Sequence, residues 1–183
     1  MRLMALDLSK RSAGLTGWDG TSTRPVVLSK ELGSTITNHG LVFARLHGVM
    51  NDLWQVIGGA DAIYCEEPLQ PQALGGHTTF DTLYLAYGLC AHAASFAEAK
   101  GVRFHAVNQT AWRRHFIGAM KRGTRRQTLK DYSMERARQL GFSPRNDDEA
   151  DAIGVLDYAC DREGIMPPWR ANEVLRPPLG VCA

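Results

Sequence analysis

Four carboxylates stand at positions where the hydrophobic pattern of this sequence would favour apolar residues. Asp7 lies within the first apolar run of the chain, and Glu66 ends a later one. Asp148 and Asp151 are three residues apart at the start of a helical pattern, so they share one helix face. Like charges brought together need a cation to offset them, and ligands that are all carboxylate oxygens favour Mg²⁺, or Mn²⁺ in its place. No histidine or cysteine joins the set, which argues against zinc.

Each acid also has a plain structural explanation. Asp148 alone is explained equally well by its favourable interaction with the dipole of a helix N-terminus. Glu66 and Glu67 are explained equally well as exposed acids at a strand end. Asp7 is harder to explain in this way, because a strand-centre carboxylate buried without a partner costs several kcal/mol. No basic residue in the same strands is placed to neutralise the acids.

The elements that must position these acids are marked by the spacing of apolar residues and by turn residues. Strands are predicted for residues 2–8, 14–18, 25–32, 61–66 and 102–107. Helices are predicted for residues 39–57, 79–100, 128–140 and 147–162. This order predicts an α/β fold with a five-stranded mixed sheet, its first three strands antiparallel, and helices on both faces. Strand ends of an open sheet meet at one crevice, where we expect the acids to lie.

The chain of 183 residues has the size of one domain. We expect residues 1–165 to form it and residues 166–183, which contain four prolines, to be an extended or mobile tail. No apolar run approaches the roughly 20 residues that span a bilayer, and no signal-peptide pattern opens the chain. We therefore expect a cytoplasmic protein without a membrane partner. The four cysteines form no CxxC pair and are expected to be free thiols.

Basic residues are concentrated between residues 111 and 145. Ten Lys or Arg and only two acids fall in this segment, which gives it a charge of +8 and leaves −6 for the rest of the chain. Trp112, His115 and Phe116 are interleaved with the basic residues, a pattern that favours a polyanionic partner over an ordinary solvated face. A carboxylate site beside such a segment indicates phosphodiester chemistry, in which two metal ions about 4 Å apart activate a water and stabilise the leaving 3′ oxygen.

Five motifs follow one another in an order and spacing that cover nearly the whole chain, from residue 2 to residue 162: MALDLS, LTGW, YCEEP, LYLAYG and NDDEADAIGVLDYA. Together they resemble the RuvC-like Holliday junction resolvases of the ribonuclease H superfamily, and more closely their phage-encoded branch. The resemblance implies a ribonuclease H-like fold and a homodimeric, magnesium-dependent endonuclease that makes paired nicks across a four-way DNA junction. It also implies that the helix over residues 79–100 lies at the two-fold interface of a dimer. This helix carries more apolar residues than one core face needs, and those that would contact the partner copy are Leu83, Tyr84, Tyr87 and Leu89.

The resemblance assigns the catalytic, metal-binding acids by position: Asp7, Glu66, Asp148 and Asp151. Asp7 would bridge two Mg²⁺ ions. Glu67 and Asp147 are the alternatives in register. Glu66 is preferred because Pro68 follows it at the distance seen in the family motif, and Asp148 is preferred for its i, i+3 relation to Asp151.

Candidate DNA contacts are the basic residues of two segments: Lys10, Arg11, Arg113, Arg114, Lys121, Arg122, Arg125, Arg126 and Lys130. Family members often carry a lysine just after the fifth strand, where this chain has Asn108. The residues that stay open as replacements are Arg113, Arg114, Lys121 and Lys130. Leu69 stands where an aromatic residue thought to wedge into the junction is found in the family, so no cleavage sequence preference is implied.

Other functions stay open at this point. A nuclease of the same fold could cut branched DNA more broadly, or RNA in RNA–DNA hybrids, which requires reading 2′-hydroxyls across a minor groove. A non-catalytic branched-DNA-binding factor would need only the basic segment. An actin-like ATPase, which also begins with a strand that carries an acid, is disfavoured because the chain is short for a two-lobed fold and lacks a second glycine-rich phosphate loop.

Overall fold

The computed structural model describes residues 1–69 and 79–171. Its strands are β1 (Leu3–Asp7), β2 (Ala13–Trp18), β3 (Val26–Lys30), β4 (Ala62–Glu66) and β5 (Arg103–Val107). Its α-helices are α1 (His39–Val56), α2 (Phe80–Ala99), α3 (Gln109–Phe116), α4 (Arg126–Gln139) and α5 (Asp147–Arg162). A short 3-10 helix (Pro168–Arg170) follows α5.

The strands form one sheet in the order β3-β2-β1-β4-β5. β1 pairs antiparallel with β2, and β2 pairs antiparallel with β3. β1 and β4 are parallel, as are β4 and β5. The predicted mixed sheet of five strands, with the first three antiparallel, is therefore confirmed. The central strand β1 is buried on both faces, which explains its continuous apolar run up to Asp7.

Helices cover both faces of the sheet, and successive residues of β1 contribute to opposite layers. Met4 and Leu6 pack in the layer that α1 and α2 form. Leu3 and Ala5 pack in the layer that α3, α4 and α5 form. Because side chains alternate along a strand, Asp7 falls on the same face as Leu3 and Ala5, which is the face that α5 covers.

Side-chain caps fix the beginnings of the long helices. Asn38 caps α1 and Thr79 caps α2, each by accepting a hydrogen bond from a backbone N–H of the first turn. Asn146 Oδ1 accepts from the backbone N–H of Glu149 at 2.9 Å and so begins α5 where the sequence predicts. The Glu149 carboxylate accepts from the backbone N–H and the side chain of Arg145, one residue earlier than a capping box requires.

The sequence predicts one helix in the basic segment, and the structure has two. α4 corresponds to the predicted helix, whereas α3 is not predicted. Asn108 caps α3 by accepting from the backbone N–H of Thr110 at 2.9 Å. Trp112 and Phe116, one turn apart, are fully buried against α5. Gly154 permits this contact, because a Cβ there would lie 2.7 Å from the Trp112 ring.

The structure differs from the expected extended or mobile tail in residues 166–171. Trp169 is buried between Trp18 and Phe142, with ring centroids 5.3 and 5.7 Å away. Arg170 pairs with the buried Asp157 carboxylate, which also accepts from Trp169 Nε1 at 2.9 Å. A buried ion pair and an aromatic anchor therefore hold this turn on the domain. Residues 172–183 lie outside the described residues, and the domain boundary at residue 165 stays a prediction.

Two further expectations concern the thiols and the membrane. Cys65, Cys90 and Cys160 are free thiols, as expected, and Cys182 lies outside the described residues. Among the helices of residues 1–69 and 79–171, none combines the length and the apolar character that a membrane span needs.

Candidate active site

Two of the four predicted acids end neighbouring strands. In the parallel ladder of β1 and β4, Leu6 pairs with Cys65, and the next residues along the two strands are Asp7 and Glu66. Alternation turns both acids toward the face that α5 covers. The end of the central parallel pair thus presents two carboxylates to one helix.

A glycine lets α5 approach this edge closely. Gly14 of β2 pairs with Asp7 across the antiparallel ladder. A Cβ at Gly14 would overlap the carbonyl oxygen of Asp148, lie 2.5 Å from its carbonyl carbon and lie 3.2 Å from the Ala152 Cβ. The Thr16 hydroxyl, on the same face of β2, donates to the Ala152 carbonyl at 3.2 Å. The N-terminal part of α5, which carries Asp148 and Asp151, therefore lies directly against the strands beside Asp7.

The four acids form one electrostatic unit, called here the acidic cluster: Asp7, Glu66, Asp148 and Asp151. Burial raises the pKa of Asp7 well above its ordinary value, and the neighbouring charges of Glu66, Asp151 and Asp148 raise it further, in that order. Burial likewise raises the pKa of Glu66 and the pKa of Asp151. Arg113 opposes these rises at Asp7, Glu66 and Asp151.

The unpredicted helix α3 supplies three donors to the acidic cluster. Gln109 Nε2 donates to Glu66 Oε1 at 2.6 Å, and Trp112 Nε1 donates to Glu66 Oε2 at 2.7 Å. Arg113 Nη2 donates to Asp151 Oδ2 at 2.9 Å. Positions 109, 112 and 113 share one helix face by i, i+3 and i, i+4 spacing. That spacing, directly after a capping Asn108, is the sequence signal that could have revealed them.

The alternative acids have partners of their own. Glu67 accepts from the Asn108 side chain at 2.7 Å, and Asp147 pairs with Lys130. Asn108, the residue found in place of a family lysine, therefore caps α3 and holds Glu67. Two of the basic residues left open as its replacement, Arg113 and Lys130, pair with acids at the start of α5.

The acidic cluster fits a hard divalent cation by its chemistry. All its ligand atoms are carboxylate oxygens, and Asp151 Oδ1 is buried without a hydrogen-bond partner among the described residues. Within the same residues, no three His, Cys, Asp or Glu side chains already stand as a metal-binding group. In this structure both oxygens of Glu66 and one oxygen of Asp151 accept hydrogen bonds from α3.

The candidate DNA contacts divide into exposed and internal residues. The exposed ones are Arg11, Arg114, Lys121, Arg122, Arg125 and Arg126. Lys10 is half-buried, and its ammonium donates to the Thr35 carbonyl at 3.3 Å. Arg113 and Lys130 are engaged by the acids of α5. An exposed basic surface therefore remains between α3 and the first turn of α4.

No protein-family model matches the chain, and no curated protein is significantly similar to it in sequence. Solved structures do match. Thermus thermophilus RuvC is 18% identical, with a TM-score of 0.64 over 90% of this chain and 97% of that one. T. thermophilus RuvC in complex with a Holliday junction substrate is 15% identical, with a TM-score of 0.62 over 90% and 96%. The fowlpox virus Holliday junction resolvase is 11% identical, with a TM-score of 0.52 over 89% and 99%.

These likenesses span nearly the full length of both chains, and they agree with the observed strand order and with helices on both faces of the sheet. The expected ribonuclease H-like fold is confirmed. The chain has the fold of RuvC and the other RuvC-like Holliday junction resolvases.

Proposed function

We propose that the protein is a metal-dependent endonuclease that resolves four-way DNA junctions by paired nicks. The observation that carries the proposal is the convergence of acids from β1, β4 and α5 on Asp7, beside an exposed basic surface. The fold shared with resolvases supports the choice of substrate.

The acidic cluster would hold the metal. Bound Mg²⁺, or Mn²⁺ in its place, would activate a water and stabilise the leaving 3′ oxygen of a phosphodiester. Gln109 and Trp112 hold both oxygens of Glu66 and so orient this ligand, as outer-shell hydrogen bonds do in metal sites. Burial of Asp7 and Asp151 keeps bulk water from screening the charges at the reacting phosphate.

DNA would approach the site over the segment between α3 and α4. Lys121, Arg122, Arg125 and Arg126 are exposed there, and Arg114 is exposed on α3. Arginine and lysine side chains contact phosphates without reading sequence, so this surface suits recognition of the shape of a branched duplex.

A second copy of the chain would complete the enzyme. α2 exposes the aromatic side chains of Phe80, Tyr84 and Tyr87, whereas Leu89 is core. A symmetric dimer would present two active sites to a symmetric junction. We expect wild type to sediment as a dimer and Tyr84→Glu to sediment as a monomer. Val56→Glu, at an exposed apolar position at the far end of α1, is the control.

The experiment that tests the function supplies labelled four-way junction, fork and RNA–DNA hybrid substrates with Mg²⁺ and maps the nicks. Resolution predicts symmetric nicks in two strands of the junction, and chelation of the metal should abolish them. Cleavage of the hybrid alone would overturn the proposal.

Asp7→Asn separates a nuclease from a non-catalytic binding factor. The proposal predicts that the variant retains junction binding and loses cleavage by about 100-fold or more. A binding factor predicts no cleavage by wild type and the same behaviour for both proteins in every assay.

A further inference from the structure

Arg113 lies inside the acidic cluster rather than on the DNA-facing surface. Its side chain is 12% exposed, and that of its partner Asp151 is 5% exposed. The guanidinium also stacks on the Trp112 ring, with its central carbon 4.9 Å from the ring centroid. The charge of Arg113 therefore acts on three of the four acids, through direct contact with Asp151 and across space on Asp7 and Glu66.

The pairing of Arg113 with Asp151 is incomplete on both sides. One guanidinium nitrogen contacts one carboxylate oxygen, whereas a well-matched pair is bidentate. Arg113 Nε and Asp151 Oδ1 are both buried without a well-formed hydrogen bond in the described part of the chain, although the nearby Ser133 hydroxyl helps to lower the pKa of Asp151. The ion pair neutralises charge without using the full binding capacity of either group, so another cation can compete for the carboxylate.

We propose that Arg113 is the resident counter-ion of the acidic cluster in the metal-free protein, and that a divalent cation displaces its guanidinium from Asp151. This inference rests on the proposed function, because it takes the acidic cluster to be the metal site. A divalent ion among these acids and the Arg113 guanidinium repel each other, and Asp151 Oδ1, which Arg113 does not hold, gives the ion a first point of attachment to the same carboxylate. The guanidinium already lies over the Trp112 ring, and this contact does not depend on Asp151, so it can be kept when the ion pair is lost.

Binding of Mn²⁺ in the absence of DNA, followed by electron paramagnetic resonance, tests the competition. Arg113→Gln should bind Mn²⁺ about tenfold more tightly than wild type, because the ion no longer has to displace a cation. Arg138→Gln removes an equal charge from an exposed position on α4 and should leave the affinity unchanged. Equal or weaker Mn²⁺ binding by Arg113→Gln would overturn the inference.

A measurement on wild type avoids a variant that fails to fold. Nitrogen-15 NMR of arginine side chains follows Arg113 during titration with Mg²⁺, with Arg113→Lys used only to assign the signal. The guanidinium signals of Arg113 should change with the midpoint of metal binding, whereas those of Arg103, paired with Glu163 just after the end of α5, should stay fixed. Unchanged Arg113 signals at saturating Mg²⁺ would contradict displacement.

The two proposals fail in different ways. If Mg²⁺ binds and the junction is cut, but Arg113 responds to neither test, only the counter-ion role is lost. If wild type binds no divalent ion and cuts no junction, the proposed function itself is lost.

Discussion

Asp7 is the residue at which the demands of folding stability and of cation binding conflict most strongly. It ends the central strand of the sheet, and the charges of three further carboxylates act on it. A carboxyl group in this position favours its protonated form, because burial and like charges both penalise ionisation. The rest of the fold must therefore offset the unfavourable free energy of burying these like charges. The same repulsion between the carboxylates makes the acidic cluster a strong site for a cation.

The first prediction is that Asp7→Asn stabilises the metal-free protein at neutral pH. The folded-state pKa of Asp7 is raised above its unfolded value, so the folded state binds more protons and its stability falls as pH rises above the unfolded value. Asparagine keeps the shape and removes this cost, for a gain on the order of 1–3 kcal/mol, or several degrees in Tm. Thermal unfolding in chelator at pH 7 measures it.

The pH dependence provides the internal check of this prediction. The gain should shrink as pH falls toward the ordinary pKa of an aspartate, where the carboxyl group is protonated in both states. Asp52→Asn, on the exposed face of α1, should leave Tm nearly unchanged. A lower Tm for Asp7→Asn than for wild type in chelator would contradict the prediction.

At the scale of elements, the sequence and the structure agree where periodicity is strong and differ where a short helix depends on tertiary contacts. The candidate acids can be proposed from the sequence because a carboxylate interrupts an otherwise apolar strand, as Asp7 does. α3 was missed because its eight residues stabilise no helix alone, and its hydrophobic contacts, Trp112 and Phe116, depend on packing against α5.

The role of the basic segment was predictable only in part, for a related reason. The +8 charge is evident in the sequence, but charge alone does not distinguish an arginine that faces solvent from one that neutralises buried acids. Arg113 and Lys130 are directed inward by the helices that carry them. Arg136, which the sequence counts with the basic surface, is fully buried and donates to the Phe116 carbonyl at 3.1 Å.

The second prediction concerns the contact between β2 and α5. Gly14→Ala should push the first turn of α5 away from β1, because the new Cβ would overlap the Asp148 carbonyl. Overpacking of this kind costs about 1–3 kcal/mol. Displacement of Asp148 by about 1 Å should also reduce cleavage by about 100-fold. Chemical denaturation and junction cleavage by the same preparation measure the two effects.

Gly48→Ala is the matched control for this substitution. Gly48 lies on the exposed face of α1, and a Cβ there would meet nothing within 4 Å in the described part of the chain. Alanine at a helix interior should stabilise by about 0.5–1 kcal/mol and leave cleavage unchanged. If Gly14→Ala behaved like Gly48→Ala, the close approach of α5 would not be what positions Asp148.

The third prediction concerns the turn after α5. A chain that ends at residue 165 should be less stable than one that ends at residue 171, because it loses Trp169 and leaves the buried Asp157 without Arg170. Breaking a buried pair costs about 3–5 kcal/mol, or on the order of 10 °C in Tm. Arg170 and His115 lower the pKa of Asp157 to about 2 despite its burial.

The sign of the pH dependence follows from that depressed pKa. The stabilising contribution of ionised Asp157 is present above its unfolded pKa and is lost as pH falls through about 2. The difference in stability between the two truncated chains should therefore be largest near neutral pH and shrink in acid. Equal stability of both chains at pH 7 would show that the turn does not hold the domain together.

At the scale of the whole molecule, the acids of the cluster and the basic residues differ in their exposure to solvent. At the edge where β1 and β4 end, Asp151 is buried and the other three acids of the cluster are partly buried, whereas the bases between α3 and α4 are exposed. A buried carboxylate site repels DNA unless a cation offsets it, and an exposed basic surface attracts DNA at long range. Affinity for DNA should thus depend on the exposed bases, and cleavage should depend on the acids.

This separation predicts that affinity for the junction falls steeply as the salt concentration rises, and that the exposed basic residues cause this dependence. Each phosphate contact contributes about −0.9 to the slope of log affinity against log salt concentration, because it releases condensed counterions. Replacing Lys121, Arg122, Arg125 and Arg126 by glutamine should therefore flatten the slope by about 3–4. Arg162→Gln, at the far end of α5, should leave it unchanged. Binding titrations with Asp7→Asn as the background, in chelator and across a range of salt, measure the slope without cleavage. A quadruple variant with the wild-type slope would place the DNA surface elsewhere on the molecule.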